Sequence, residues 1–179
     1  MFANFKDKLI EDLSMHEEDH VSNEWFISVS FMAKYNRLDL LEIVFSETDQ
    51  FIDCSDFASL ASINGNLNAI KFLSAQGAKF ESDFTNDFST VEYAAVNGHL
   101  DVLKWLHLNR SEGCDEDYTL FYSAKHGHFE VVKFLIETGI CGKNSKVLKN
   151  GISIANHNYF REILSYLRSV LDGRNKRWF

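Results

Sequence analysis

Two histidines stand four residues apart in the segment His16-Glu17-Glu18-Asp19-His20. On a helix this spacing places both imidazoles on one face, and zinc hydrolases with the same pattern use the glutamate after the first histidine as general base. Such a catalytic helix lies buried beneath its site, whereas Glu18 and Asp19 indicate a solvated helix end. No third ligand follows at a suitable spacing. A zinc hydrolase therefore stays only as the most remote of three candidate functions.

Other reactive side chains lack the neighbours that catalysis requires. Cys54, Cys114 and Cys141 form no Cys-x-x-Cys pair, are odd in number and have no adjacent base in the sequence, so we interpret them as packed or idle thiols in a reducing compartment. His99 and His128 each follow a glycine, which could indicate a shared metal site, but histidine more often serves as an ordinary polar residue. No nucleophile elbow, phosphate-binding glycine loop or carboxylate pair occurs. We predict that the chain is not an enzyme and holds neither metal nor cofactor.

Composition describes a folded and acidic chain with a basic end. Of its 179 residues, 45% are hydrophobic and 25% charged, and no apolar run approaches the ~18 residues of a membrane span. The net charge is −8, yet residues 141–179 carry eight Lys or Arg against two Asp or Glu. The overall charge argues against nucleic-acid binding. We expect an intracellular, most simply cytoplasmic, protein that binds no membrane.

A short motif recurs five times along the chain. Its central residues are spaced 29, 33, 29 and 31 apart, at Asn36, Gly65, Gly98, Gly127 and Asn158. A tight turn between two helices needs one residue at positive φ, where glycine has no steric penalty and asparagine the smallest of the others. We therefore predict a turn at each of these five residues.

Apolar residues follow each turn at helical spacing. Positions +2, +5 and +8 from the turn residue are apolar in all five copies: Leu38, Leu41, Val44, Leu67, Ile70, Leu73, Leu100, Leu103, Leu106, Phe129, Val132, Leu135, Phe160, Ile163 and Tyr166. Position −3 is always small, at Ala33, Ser62, Ala95, Ala124 and Ala155. Each copy is thus predicted to be helix, tight turn, helix. Units of this size bury their apolar faces only by stacking, which predicts an all-α solenoid of helix-turn-helix repeats with capping helices.

These segments resemble ankyrin repeats, most closely Ala94-Ala95-Val96-Asn97-Gly98-His99-Leu100 and Gly127-His128-Phe129-Glu130-Val131-Val132. The resemblance covers about residues 24–170. The stretch 105–114 is further similar to divergent arrays found in protists and in large DNA viruses. The family's usual Thr-Pro-Leu-His opening is missing, because the chain has no proline. Helix starts must then depend on Asp, Ser or Thr caps. The two short spacings predict blunted or absent hairpin fingers.

The pattern divides the chain into consecutive parts. We predict an N-terminal capping helix at 1–22, four ankyrin-like repeats over 23–142 (about 23–50, 51–82, 83–113 and 114–142), a C-terminal capping repeat at 143–172 and a basic, frayed tail at 173–179. Glu162 and Ser165 fall where inner repeats have apolar residues, which is typical of a cap with a polar outer face.

The resemblance implies a protein-interaction module, adaptor or scaffold that binds a partner protein on its concave inner-helix surface. The family's contact positions are the two residues before each turn, together with one connecting loop. Carried over, they are Lys34, Tyr35, Ile63, Asn64, Phe88, Val96, Asn97, Lys125, His126, Asn156 and His157. Ile63 and Val96 would form an apolar centre if exposed, or would otherwise pack against loops. The second candidate function is a self-assembling structural component, although we expect a monomer with weak self-association at most.

Overall fold

The computed structural model describes residues 31–47, 55–77, 80, 88–111 and 113–175. The predicted capping helix at 1–22, with its His16–His20 segment, lies outside them. The described residues contain helices and no strand, as the sequence predicts. After a helical segment at 31–34, the helices are α1 Leu38–Glu47, α2 Ser55–Ile63, α3 Leu67–Ala75, α4 Thr90–Val96, α5 Leu100–Asn109, α6 Glu116–Lys125, α7 Phe129–Glu137, α8 Ser145–His157 and α9 Arg161–Asn175.

The chain forms two compact units, Met1–Glu81 and Ser82–Phe179. In the first unit, α3 packs against α1 and α2. In the second unit, the first helices of successive repeats are α4, α6 and α8, and α6 packs against both of the others. The second helix of each repeat, α5, α7 or α9, packs against the first helix of its own repeat, and α9 also packs against α7.

Each repeat turns at one residue in the left-handed region. The φ angles there are 54° at Asn36, 70° at Gly65 and 80° at both Gly98 and Gly127. Two hydrogen bonds close each turn. At Gly127 its own N–H donates to the Ala124 carbonyl, and the N–H of the next residue donates to that of Ser123. This is the Schellman arrangement, and four of the five predicted turn residues are confirmed.

The fifth turn falls one residue later than the sequence predicts. Asn158 has a φ of −91°, and the positive value, 60°, belongs to Tyr159. The N–H of Phe160 closes the turn on the Ala155 carbonyl, as the His128 N–H does on the Ser123 carbonyl. Tyr159 is therefore the structural counterpart of Gly127, and the last spacing is 32 residues.

This shift changes the register from which a polar cap was predicted in the last repeat. Ile163, not Glu162, occupies the position of Val102 and Val131, and it is fully buried. Tyr166, not Ser165, takes the position of Phe134, and its ring meets that of Phe129 with centroids 5.8 Å apart. Leu164, the counterpart of the buried Val132, is only half-buried, and Glu162 and Ser165 are exposed, so the last helix packs less completely than an inner one.

Small and apolar residues fill the core as predicted. In α1, α3, α5 and α7 the +5 side chains are buried, whereas the +2 side chains are half-buried. The small residues Ala33, Ser62, Ala95 and Ala124 are fully buried. The buried Ser123 hydroxyl lies 3.1 Å from the Ala95 carbonyl oxygen of the preceding repeat and 2.7 Å from the Thr119 carbonyl oxygen of its own helix. Side chains of successive repeats thus interlock at small residues.

Polar side chains cap the first helices of the second unit, whereas α3, α5 and α7 begin without a side-chain cap. Ser89 begins α4 with a reciprocal capping box, in which its side chain accepts from the Glu92 N–H and the Glu92 carboxylate accepts from the Ser89 N–H. Asp115 caps α6 and Asn144 caps α8. The buried Glu92 carboxylate also accepts from the Asp115 N–H of the next repeat at 2.8 Å, so one side chain serves two helix starts.

Later repeats supply donors to the ends of earlier first helices. Asn66 donates to the Ala33 and Lys34 carbonyls. Ring nitrogens of His126 and His128 lie 3.2 and 3.0 Å from the Val96 carbonyl oxygen. Asn158 donates to the Lys125 carbonyl. The last carbonyls of a helix have no intrahelical partner. These side chains supply hydrogen-bond donors to such carbonyls from the following repeat.

The last helix also runs further than predicted. It continues to Asn175, so residues 173–175, assigned above to a frayed tail, are helical. A single glycine within a helix costs only about 1 kcal/mol, and Gly173 alone does not end it. The short connection between α5 and α6 contains no strand among its described residues, whereas the other short connection, between α1 and α2, lies outside the described residues.

Candidate partner-binding surface

Three aromatic side chains on the first helices of the second unit gather with Phe88, which lies just before α4. We call Phe88, Tyr93, Tyr118 and Tyr122 the aromatic cluster. Tyr118 and Tyr122, one turn apart on α6, are stacked at 5.8 Å with an interplanar angle of 11°. Phe88 meets Tyr93, Tyr118 and Tyr122 edge-on, at 5.6, 6.1 and 5.7 Å. Edge-on and offset contacts are favourable between aromatic quadrupoles, so the rings hold one another in place.

The aromatic cluster faces solvent in part. Tyr118 is 54% exposed, and Phe88, Tyr93 and Tyr122 are half-buried. The Lys125 ammonium lies 5.0 Å from the centre of the Tyr122 ring, within cation–π range. His126 lies beside the same ring at 6.2 Å. A rigid apolar surface with a polar border results.

Acidic residues begin the helix that carries Tyr118, and basic residues lie on the helix packed against it. Asp115, Glu116 and Asp117 begin α6 immediately before Tyr118. The neighbouring α8 carries Lys146 and Lys149, both exposed, and contains no Asp or Glu. We call these two residues the α8 lysine pair. Neither forms an ion pair with any carboxylate of the residues that the structure describes.

Predicted contact residues of the second unit lie on or near the aromatic cluster. Phe88 belongs to it, and the exposed Lys125 and His126 border it. The half-buried Val96 offers its carbonyl to the two histidines, and the exposed Asn97 donates to the Tyr93 carbonyl. Asn156 and His157 are exposed at the end of α8. The shifted last turn makes His157 the counterpart of Lys125, whereas Asn156 corresponds to the buried Ala124.

Predicted contact residues of the first unit lie beside a smaller aromatic pair, in which the exposed Phe31 and Tyr35 rings have centroids 4.4 Å apart. Lys34 and Tyr35 are exposed, and the ammonium lies 5.4 Å from the Tyr35 ring centre. Ile63 is half-buried, and the exposed Asn64 donates to the Leu60 carbonyl. These residues remain predicted contacts.

Sequence reasoning missed three members of the aromatic cluster. It transferred only the two positions before each turn, whereas Tyr93 and Tyr122 stand five residues before theirs, and Tyr118 stands nine before. An aromatic residue at position −5 in three repeats, Phe31, Tyr93 and Tyr122, was the available signal. Those side chains share the face of the −2 and −1 positions because they lie one helical turn earlier.

Two further groups of reactive side chains lie in the second unit. Burial lowers the pKa of His128, with a smaller contribution in the same direction from His126 and His99. The Cys114 and Cys141 thiols interact by a hydrogen bond that lowers the pKa of Cys114 and raises that of the buried Cys141. Both cysteines are free. Their proximity across two repeats was not predicted.

Neither metal ligation nor membrane crossing has support in the described part of the chain. No three or more His, Cys, Asp or Glu residues there lie close enough together to ligate an ion. None of the helices described combines the length and apolar character of a membrane span.

Comparisons with known proteins identify the repeats. Residues 91–136 match the family model described as ankyrin repeats (many copies). Among solved structures, the chain is similar to the human ASB11 ankyrin repeat domain, with a TM-score of 0.65 and 14% identity over 79% of this chain and 68% of that one. No curated protein matches the chain. These findings confirm the resemblance to ankyrin repeats and the all-α, ankyrin-like fold.

Proposed function

We propose that the chain is a non-catalytic adaptor or scaffold that binds a partner protein on the first-helix face of its second unit. Ankyrin repeats are generally protein-interaction modules and typically non-catalytic, which gives the class of function. The observation that carries the proposal is the partly exposed aromatic cluster. Because both described cysteines are free thiols, an intracellular, cytoplasmic location is part of the proposal.

Binding of a partner to the aromatic cluster would cost little side-chain entropy. Tyrosine offers a large contact area with few rotatable bonds, and aromatic residues are enriched where interfaces bind most strongly. Here ring-to-ring contacts already restrict Tyr118 and Tyr122 before any partner arrives. A partner would therefore gain apolar contact with little further loss of side-chain entropy.

The residues predicted from the family pattern form the rest of the proposed contact set. In the second unit, Val96, Asn97, Lys125, His126, Asn156 and His157 would border the aromatic cluster. In the first unit, Lys34, Tyr35, Ile63 and Asn64 are proposed as separate contacts. Polar residues around an apolar centre exclude water without supplying most of the binding energy.

Affinity capture from the native cell tests the proposal. Tyr118→Ala/Tyr122→Ala and Val96→Arg should each lose a partner that the unaltered chain retains. Leu108→Ala removes an 80% exposed apolar side chain from α5 and should retain that partner, as a control for altered exposed surface. Capture that survives both aromatic substitutions and Val96→Arg would place the binding surface elsewhere.

A further inference from the structure

We propose that the partner docks through a peptide segment with an apolar side chain on the aromatic cluster and acidic side chains on the α8 lysine pair. This inference rests on the proposed function, since it specifies the chemistry of a partner on the same surface. It combines three features of the second unit: the half-exposed rings, the unpaired lysines beside them and the acidic start of α6.

The lysines lack a counterion among the described residues. Both are exposed, and α8 presents only uncharged residues or histidine at its other exposed positions, Ser145, Asn150, Ser153, Asn156 and His157. Lys146 also lies in the first turn of α8, where the helix dipole disfavours positive charge. An acidic partner would relieve that unfavourable interaction as well as pair with the ammonium groups.

The two features lie on neighbouring helices. α6 packs against α8, and the turns at Gly127 and Tyr159 place Asn150 in register with Tyr118 and Lys149 in register with Asp117. Packed helix axes are about 8–10 Å apart. An extended peptide advances about 3.3 Å per residue, so acidic side chains about three residues from the apolar one would reach the lysines.

The acidic start of α6 argues for a peptide and against a nucleic acid. Asp115, Glu116 and Asp117 lie directly before Tyr118, where a polyanionic backbone crossing the aromatic cluster would meet them. A peptide can confine its negative charge to the α8 side of the aromatic cluster, next to the lysines, whereas a polyanionic backbone would also carry charge over the acidic start of α6. The second unit has twelve Asp or Glu and twelve Lys or Arg, so it has no net positive charge to attract a polyanion.

Selection from a displayed library of random 12-residue peptides against the full chain tests the inference. Enriched peptides should carry acidic residues about three positions from an aromatic residue, leucine or proline. At low salt, Lys146→Glu/Lys149→Glu should weaken their binding at least tenfold, and added salt should weaken binding to the unaltered chain. Arg161→Glu/Arg168→Glu makes the same charge change on exposed residues of α9 and should alter binding less than twofold.

The outcomes separate this inference from the proposed function. Enriched peptides without acidic residues that still need Tyr118 and Tyr122 would overturn the inference and leave the proposed function standing. No enrichment, or binding that survives loss of both tyrosines, would overturn both. Binding of a single-stranded oligonucleotide that the lysine reversal abolishes would overturn the choice of a peptide. If the double tyrosine variant unfolds, Tyr118→Ala alone, at a 54% exposed position, answers the same question.

Discussion

Tyr159 adopts a backbone conformation that the other repeats assign to glycine or asparagine. Its φ is 60°, and its side chain is 88% exposed. Burial of the side chain therefore does little to offset the backbone strain. A left-handed conformation costs a side-chain-bearing residue roughly 1–2 kcal/mol. The strain thus falls on the turn between α8 and α9.

Substitution of Tyr159 by glycine should stabilise the chain. We expect a gain of about 0.5–1 kcal/mol, because relief of strain exceeds the extra freedom that glycine gives the unfolded chain. Urea unfolding followed by circular dichroism measures it. Asn158→Gly should instead destabilise, since φ there is negative and the bond to the Lys125 carbonyl is lost. Stabilisation by Asn158→Gly and not by Tyr159→Gly would contradict the assigned turn.

Gly98 should resist substitution for two separable reasons. Its φ is +80°, and a Cβ there would lie 2.6 Å from the His128 ring, whereas a Cβ on Gly139, with φ +72°, would meet nothing closer than 3.9 Å. Gly139→Ala should therefore cost only the strain, about 1 kcal/mol, and Gly98→Ala roughly 1–3 kcal/mol more. If Gly98→Ala and Gly139→Ala lower the free energy of unfolding equally, the His128 ring moves aside without cost.

Turn residues illustrate how far a sequence determines local geometry. Asn36, Gly65, Gly98 and Gly127 were predictable because each belongs to a residue type that tolerates positive φ. The fifth turn was predicted at the wrong residue, because asparagine tolerates positive φ better than tyrosine does, yet Tyr159 and not Asn158 adopts it. The packing of Phe160, whose ring covers Gly127, accompanies the later turn and is a tertiary contact that residue type does not show.

Among the helices, His126 and His128 meet the Val96 carbonyl at the end of α4. A carbonyl only accepts, so the nearby nitrogen of each ring must donate to it. Burial keeps the pKa of His128 below its ordinary value of 6.5, and protonation of that ring opposes folding. The contact between these two repeats is therefore sensitive to acid.

Acidification should weaken the chain through His128. Because its pKa is lower in the folded than in the unfolded state, its contribution is complete above about 6.5 and is lost as the pH falls through and below that value. His128→Gln should flatten the dependence of the urea midpoint on pH between 7.5 and about 5. His107→Gln, at an exposed histidine of α5, should leave it unchanged. Parallel profiles for His128→Gln and the unaltered chain would exclude the effect.

Among the polar side chains at helix starts, Glu92 should be the one whose replacement lowers the free energy of unfolding most. Its buried carboxylate accepts hydrogen bonds from the Ser89 and Asp115 backbone N–H groups. In Glu92→Gln, one of these N–H groups would face the side-chain NH₂ group, which cannot accept a hydrogen bond. We expect a loss of about 1–3 kcal/mol in urea unfolding. Glu130→Gln, at an exposed position of α7, should change little. A loss below about 0.5 kcal/mol at Glu92 would contradict the double cap.

Helices were more predictable than the surface they present. Apolar spacing located the second helices, and the absence of proline correctly implied side-chain caps. Tyr93, Tyr118 and Tyr122 were not recognised, because an aromatic residue on an amphipathic helix is equally typical of a core. Only the contacts around Phe88 show that these rings form one partly exposed group.

At the scale of the whole molecule, charge is the property most relevant to assembly. Residues 141–179 carry a net charge of +6 within a chain of −8, a distribution that would permit head-to-tail contacts. We nevertheless expect a monomer whose light-scattering mass stays constant between low and high salt, since exposed charges attract only weakly. Oligomers at low salt that dissociate as salt is added would favour the self-assembling alternative.

The fold as a whole followed from the sequence because repetition multiplies a weak signal. One copy of a turn with three apolar residues proves little, whereas five copies at spacings near 31 residues predict stacked helix pairs. The proposed binding surface follows the repeat only in part, because aromatic residues recur five positions before three turns, whereas Tyr118 and the α8 lysine pair have no such counterparts. Surface features that distinguish this chain from other repeat proteins can therefore be recognised only in the structure.

Side-chain donors reach backwards in this protein: Asn66, His126, His128 and Asn158 all serve carbonyls of an earlier repeat. Synthesis on the ribosome begins at the amino terminus. Each newly made first helix then waits for the following repeat before its last carbonyls are satisfied. Folding during translation should consequently lag one repeat behind the emerging chain, and removal of repeats from the carboxyl side should harm what remains more than removal from the amino side.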